Sequence, residues 1–123
     1  MSRSHVAWAI AVVDVVAFIG AGVVNPTDLA VVLYAVGIAS FAGVGALLIS
    51  RVPTNPIGYL LLAAGTVLVA AIVIGTYADL GAVQVPEWPG SDLARSIGDV
   101  MFFYPFVIAF IGVPLVFPDG RLL

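Results

Sequence analysis

Four long runs of apolar residues, separated by short polar gaps, dominate the pattern along this chain. The runs cover about residues 6–24, 29–49, 57–78 and 97–117. Each is close to the roughly 20 residues that a helix needs to cross a hydrocarbon core about 30 Å thick. Helices are required there, because lipid offers no partner to an unpaired backbone group. The pattern predicts an all-α fold, a four-helix transmembrane bundle that forms a single membrane domain over residues 1–123.

The gaps between the runs carry turn signals. Residues 25–28 (NPTD) predict a tight turn between the first two helices. In the second gap, Pro53 discourages continuation of the second helix, Asn55 is suited to cap the third, and Pro56 fits its first position, where a missing N–H costs nothing. The third gap, residues 79–96, is polar and rich in Pro and Gly, so we expect the one sizeable loop there.

Composition makes the bilayer the favoured solvent, since 63% of the 123 residues are hydrophobic and only 9% are charged, against roughly a quarter in soluble domains. The absence of cysteine excludes disulfides and thiolate metal ligands. A net charge of -3 argues against a nucleic-acid partner. No nucleophile–base pair, phosphate-binding loop or metal-ligand spacing stands out, so we predict no enzymatic activity and no cofactor.

The arginines predict the orientation. If all four runs span the membrane, Arg3, Arg51 and Arg121 lie on one side, and Arg95 lies on the other among acidic residues. Cytoplasmic loops carry the excess of basic residues. We therefore expect both termini in the cytoplasm, the 79–96 loop outside, and a multi-pass location in the inner (plasma) membrane.

Asp14 is the most informative single residue, because an ionised carboxylate near the middle of a membrane helix is costly unless it is paired or faces water. Small residues share its helix face and allow close helix contact, namely Ala7, Ala11, Ala17 and Ala21. Counting depth along the other helices predicts a buried polar cluster of Asp14, Ser40, Thr66 and Tyr104. We favour interhelical hydrogen bonding as its role, with a proton or ligand sensor as the alternative.

Two further patterns concern helix packing. Ala35, Ala39 and Gly43 form a stripe of small residues on the second helix, which predicts a packing face. We favour packing inside the bundle over a dimer contact. Pro105 and Pro114 lie within the fourth helix, where tolerated irregularity is favoured over a functional hinge.

Two motifs carry a resemblance to a known family. One is Asn55, Pro56, Ile57, Gly58, Tyr59 and Leu60, and the other is Phe117, Pro118, Asp119, Gly120, Arg121 and Leu122. Together they resemble the N-terminal membrane region of actinobacterial and related sensor histidine kinases, in which such motifs open one helix and close the next. The resemblance implies a membrane-sensing part. The family's kinase core would have to lie beyond Leu123, so no catalytic residue is carried over.

These observations favour a membrane-embedded sensing or input module, similar to that of two-component sensor histidine kinases but without the kinase core. The alternative is a small accessory subunit that packs on a larger membrane protein complex. A transporter has less support, because one carboxylate at depth is a poor relay. The expected partners are the lipid bilayer and either a second copy of the chain or a larger membrane protein.

Overall fold

The computed structural model of the protein describes residues 2–24 and 30–116, and within them every regular element is helical. The elements are α1 (Arg3–Val24), α2 (Ala30–Arg51), α3 (Pro56–Ala82) and α4 (Ser91–Val107). A π-helical segment, Ile108–Gly112, and a last α-helical turn, α5 (Val113–Val116), continue α4 without a break. We call the continuous run Ser91–Val116 the fourth span.

Four helices in the described part of the chain are long and apolar enough to cross a membrane. They coincide with the four apolar runs, so the prediction of an all-helical fold with four candidate spans is confirmed. α3 is the longest of them, with 27 residues against 22 in α1. At 1.5 Å per residue, α3 is about 40 Å long.

The predicted loop over residues 79–96 is wrong in extent. α3 continues to Ala82 and α4 already begins at Ser91, so only residues 83–90 connect them. The polar residues at the start of α4 are compatible with a loop, but a helix can also carry such residues on its exposed surface. Gly90 makes the early start possible, because its φ of 75° lets the chain turn directly into the helix.

The short connection is held against the helices that it joins. The Trp88 backbone N–H donates to the Gly81 carbonyl (3.2 Å), and the Tyr77 hydroxyl donates to the Pro89 carbonyl (2.6 Å). The rings of Tyr77 and Trp88 lie 5.4 Å apart. The Ser91 hydroxyl donates to the Trp88 carbonyl (2.8 Å). These contacts leave a structured cap on the α3–α4 hairpin.

The helices do not form an evenly closed bundle. α1, α2 and α3 pack against one another pairwise, whereas the backbone of the fourth span approaches only α3. In the most apolar 18-residue stretch of each helix, 44% of the residues are buried in α3 but 6% in the fourth span. The protein is therefore a three-helix core with a fourth helix attached to one side of its central helix.

Alanines and glycines set the spacing between α2 and α3. The buried face of α2 carries Ile38, Ala42, Ala46 and Ile49. Beside it, a Cβ added at Gly45 would lie 2.6 Å from a backbone nitrogen of α3. A Cβ added at Gly43 would meet nothing within 4 Å, and Ala39 is exposed. Of the small-residue stripe that we predicted on α2, Ala35 does pack against the core. Ala39 and Gly43 do not, because the packing face continues instead through Ala42, Gly45 and Ala46.

The two prolines of the fourth span have different surroundings. Pro105 is among the most buried residues of the described chain, whereas Pro114 is exposed. The π-helical segment ends at Gly112, two residues before Pro114. A proline ring in an α-helix clashes with the carbonyl four residues earlier, and local π adjustments accommodate such residues in membrane helices. The irregularity is therefore explained by Pro114.

Candidate functional site

Asp14 lies in the buried stripe of α1. That stripe follows spacings of four and three residues, and consists of Ala7, Ala11, Asp14, Phe18 and Ala21. Ala7 and Ala11 belong to an apolar cluster near the Arg3 end of the helices, and Phe18 belongs to a second cluster further along. Asp14 is 5% exposed and interrupts the apolar core between these two clusters.

Thr66 of α3 is the hydrogen-bond partner of Asp14. Its hydroxyl Oγ1 donates to Asp14 Oδ2 at 2.8 Å, across 52 residues of sequence. In the part of the chain that the structure describes, no buried side-chain nitrogen or oxygen is left without a partner. A carboxyl group within a membrane helix is costly unless it has such a partner or faces water. Thr66 supplies the partner that Asp14 would need in a bilayer.

Ser40 does not join this pair. It is exposed on α2, between the buried residues Ile38 and Ala42. Two residues along a helix correspond to a rotation of about 200°, so a residue midway between two inward-facing positions points outward. The predicted membership of Ser40 in the cluster was wrong because depth alone had been counted.

Tyr104 does not join the pair either. It is 53% exposed on α4, a helix whose backbone does not approach α1. α4 instead meets α3 through Gly98, where an added Cβ would lie 3.3 Å from the Ala71 carbonyl oxygen. The predicted cluster of four is therefore a pair, Asp14 and Thr66, formed between the first and third helices only.

The first sequence motif has a local structural explanation. Asn55 caps α3, since its side-chain oxygen accepts from the Ile57 backbone N–H at 3.0 Å, and Pro56 is the first helical residue. Gly58 lies where α3 crosses α2, with an added Cβ 3.1 Å from the Gly45 carbonyl oxygen. The Tyr59 hydroxyl donates to the carbonyl of Pro53 (3.1 Å). The second motif, with Pro118, Asp119, Gly120 and Arg121, lies outside the described residues, as do residues 25–28.

A second polar contact between helices was missed by the sequence analysis. Ser50 of α2 donates its hydroxyl to the Ala46 carbonyl (2.8 Å) and lies within hydrogen-bond distance of Ser4 Oγ (2.8 Å). It also accepts from Trp8 Nε1 (3.0 Å). One donor and two acceptor sites of the Ser50 hydroxyl are thereby used. The signal was present, because Ser4 and Trp8 are four residues apart and share one face of a helix.

Charge is unevenly distributed between the two ends of the described helices. Arg3 and Arg51 lie at one end of the helices, which we call the arginine end. The contact of Ser4 with Ser50 brings α1 and α2 together at this end. Asp79 and Arg95 form an ion pair of 3.0 Å near the opposite end, with both side chains half exposed. Glu87 and Asp92 are also at that opposite end.

The Asp14–Thr66 pair offers one carboxyl and one hydroxyl group in an apolar setting. That is enough for a hydrogen bond between helices, or for the uptake of one proton. Among residues 2–24 and 30–116, no group of three or more His, Cys, Asp or Glu side chains is placed to hold a metal ion. A comparison with known protein families, curated proteins and solved structures found no match to this chain.

Proposed function

We propose that this protein is a membrane-embedded input module, in which the three-helix core is a platform and the fourth span moves relative to it. The observation that carries the proposal is that the backbone of the fourth span approaches only α3. Its ring contact with α2, between Phe102 and Tyr34 at 5.8 Å, lies one turn from Gly98. A helix whose backbone packs on one neighbour can change its tilt without breaking the contacts among α1, α2 and α3. The resemblance of the Asn55–Leu60 and Phe117–Leu122 motifs to sensor histidine kinases supports the same function.

The contacts of the fourth span favour a pivot near its beginning. Gly98 packs closely on Ala71 and Gly75, and the Arg95–Asp79 ion pair lies one turn away. Towards the arginine end the contact is looser, since a Cβ added at Gly112 would only reach the Leu60 side chain at 3.8 Å. Movement about such a pivot would be largest at the arginine end.

The charge distribution supports the orientation that such a module requires. Basic residues are retained on the cytoplasmic side of membrane proteins, and the described arginine end carries Arg3 and Arg51. We propose that this end faces the cytoplasm and that the membrane is the plasma membrane. Both termini would then be cytoplasmic, and movement at the arginine end would reach a cytoplasmic partner.

Bilayer thickness is the stimulus that the structure lets us test directly, because helices respond to hydrophobic mismatch by tilting. From Gly98 to Val116 the fourth span is about 27 Å long at 1.5 Å per residue. A change in tilt of about 10°, within the observed range of roughly 0–40°, would move its far end by about 5 Å.

The experiment measures distances between spin labels in thin and thick bilayers. The chain has no cysteine, so labels can be placed by single substitutions. We choose Leu47→Cys on α2 with Leu115→Cys on the fourth span, both about half exposed at the arginine end. The matched control pairs Leu47→Cys with Val6→Cys on α1. We expect the first distance to change by about 5 Å and the control to stay constant. Equal changes in both would contradict the proposal.

An accessory subunit is the second candidate, and a different observation favours it. Phe102, Phe106 and Phe110 follow one another by four residues along the fourth span, with ring centroids 5.6 and 6.4 Å apart. Phe102 packs against the core, whereas Phe106 is 42% exposed and Phe110 is 74% exposed. Aromatic side chains are enriched in the cores of protein interfaces.

This second candidate predicts that Phe106 and Phe110, the exposed members of the row, contact another membrane protein. A photo-crosslinking residue at Phe110 should then give an adduct with one defined subunit in native membranes, and that subunit should co-purify with the wild-type chain. The control places the same residue at Ile19, an exposed position on α1. Adducts with lipid alone, or equal adducts from both positions, would argue against the accessory subunit.

A further inference from the structure

A continuous apolar groove runs along the outer surface between α1 and α3. Its first stretch, at the arginine end, has a volume of about 220 Å³ and is lined by residues that include Arg3, Val6 and Tyr59. Its second stretch, of about 390 Å³, reaches Thr66 and Val67. The two stretches share Ile10, Tyr59 and Leu62, so they form one groove.

The length of this groove corresponds to one leaflet of a bilayer. It begins beside Arg3, the first residue of α1, and ends beside Thr66, which is hydrogen-bonded to Asp14. Eleven residues separate Arg3 from Asp14, which is about 16 Å along a helix. The hydrocarbon core is about 30 Å thick. The groove therefore spans from the interface to near the middle of the membrane.

Charge distinguishes the two ends of the groove. Among the residues that line the two stretches, Arg3 alone is charged, and it lies at the mouth of the groove. The ion pair found among the described residues is that of Arg95 and Asp79, at the opposite end of the helices. Arg3 thus presents a cation at headgroup depth. Basic pockets between transmembrane helices bind anionic headgroups.

A second groove on the protein provides a contrast. It lies between α1 and α2, has a volume of about 240 Å³, and is lined entirely by uncharged residues such as Trp8, Val12 and Ala39. An acyl chain alone would fit either groove. Of these two grooves, the one between α1 and α3 combines an apolar lining with a cation at its mouth.

We infer that the groove between α1 and α3 binds one anionic phospholipid, with its phosphate at Arg3 and one acyl chain beside Ile10 and Leu62. The end of that chain reaches Thr66 and covers the Asp14–Thr66 pair on the groove side. The site requires only that the helices lie in a bilayer, so it stands independently of the proposed movement of the fourth span.

The test is native mass spectrometry of the full chain released from detergent micelles. Palmitoyl-oleoyl phosphatidylglycerol and phosphatidylcholine, which differ only in the headgroup, are titrated as probes. We expect one tightly retained phosphatidylglycerol and weaker retention of phosphatidylcholine. A basic residue near an anionic surface contributes about 1 kcal/mol, so Arg3→Gln should lower retention of phosphatidylglycerol about fivefold. Arg3→Lys should restore most of it.

Arg51→Gln is the matched control for charge, because Arg51 lies at the same end of the helices but does not line the groove. For the acyl chain, Ala63→Trp should fill the second stretch and lower retention of both lipids. Ala39→Trp, in the uncharged groove, is its control and should have no effect on the retained phosphatidylglycerol. Arg3 is exposed, so its variants leave the core intact.

Three results would overturn the inference. The first is equal loss of phosphatidylglycerol in Arg3→Gln and Arg51→Gln, which would indicate general attraction to a basic surface. The second is equal retention of phosphatidylglycerol and phosphatidylcholine by the wild-type chain. The third is displacement of the retained lipid by inorganic phosphate at the same concentration, which would leave no role for the acyl chain.

Discussion

Replacing Gly45 with alanine should force α2 and α3 apart. An added Cβ would lie 2.6 Å from the backbone nitrogen of Leu62 and 2.8 Å from the carbonyl oxygen of Gly58. Both neighbours are backbone atoms within α3, so neither can rotate away as a side chain could. Since ordinary van der Waals contact begins at 3.4 Å, the two helices must separate by roughly 0.8 Å.

The energetic cost follows from the contacts that this separation weakens. A gap of about 0.5–1 Å loses a quarter to a half of the dispersion energy of each contact, and overpacked cores lose about 1–3 kcal/mol. Alanine also gains up to about 1 kcal/mol over glycine in helix propensity. Gly43→Ala, on the same helix, meets nothing within 4 Å and isolates that gain. We therefore expect the two variants to differ by about 2 kcal/mol.

Unfolding by sodium dodecyl sulfate in lipid–detergent micelles, followed by circular dichroism, measures this difference. Gly45→Ala should unfold at a lower detergent fraction than Gly43→Ala, with both curves fitted as two-state transitions. A difference below about 0.5 kcal/mol, the usual effect of a surface substitution, would refute the close approach of α2 and α3 at Gly45.

Two further substitutions test polar contacts in the same unfolding assay. Thr66→Val keeps the shape of the side chain but removes the donor to Asp14. It should cost about 0.6 kcal/mol and at most about 1.7 kcal/mol, the average and the maximum for hydrogen bonds between membrane helices. An unchanged stability would show that the bond contributes nothing. Asn55→Ala removes the cap of α3 and should cost about 0.5–2 kcal/mol, whereas Asn55→Asp should retain the cap and most of the stability.

The elements of this fold could be predicted because their signals are local. A run of about 20 apolar residues has one stable backbone solution in lipid. The start of α3 was equally readable, since Asn55 and Pro56 act on backbone groups within two residues of themselves. The end of the loop could not be predicted, because the mixed polar composition of residues 91–96 suits a loop and an exposed helix equally well.

The members of the polar site depended on information that is not local. Depth along a helix can be counted, and it placed Asp14, Ser40 and Thr66 at similar levels. Direction around the helix depends on which neighbours it meets, and that is decided by packing. Gly43 and Gly45 show the same limit, since both are small residues in one helix but only Gly45 lies at the crossing with α3.

The separation of Asp14 from Thr66 by 52 residues has a consequence for biosynthesis. At about 5–20 residues per second, the ribosome needs about 3–10 s to make the stretch between them. During that interval the first helix carries a carboxyl group whose eventual donor does not yet exist. Placing an aspartate at the centre of a helix costs about 2.5–3.5 kcal/mol on insertion. The nascent first helix should therefore stay beside the translocon until the third emerges to receive it.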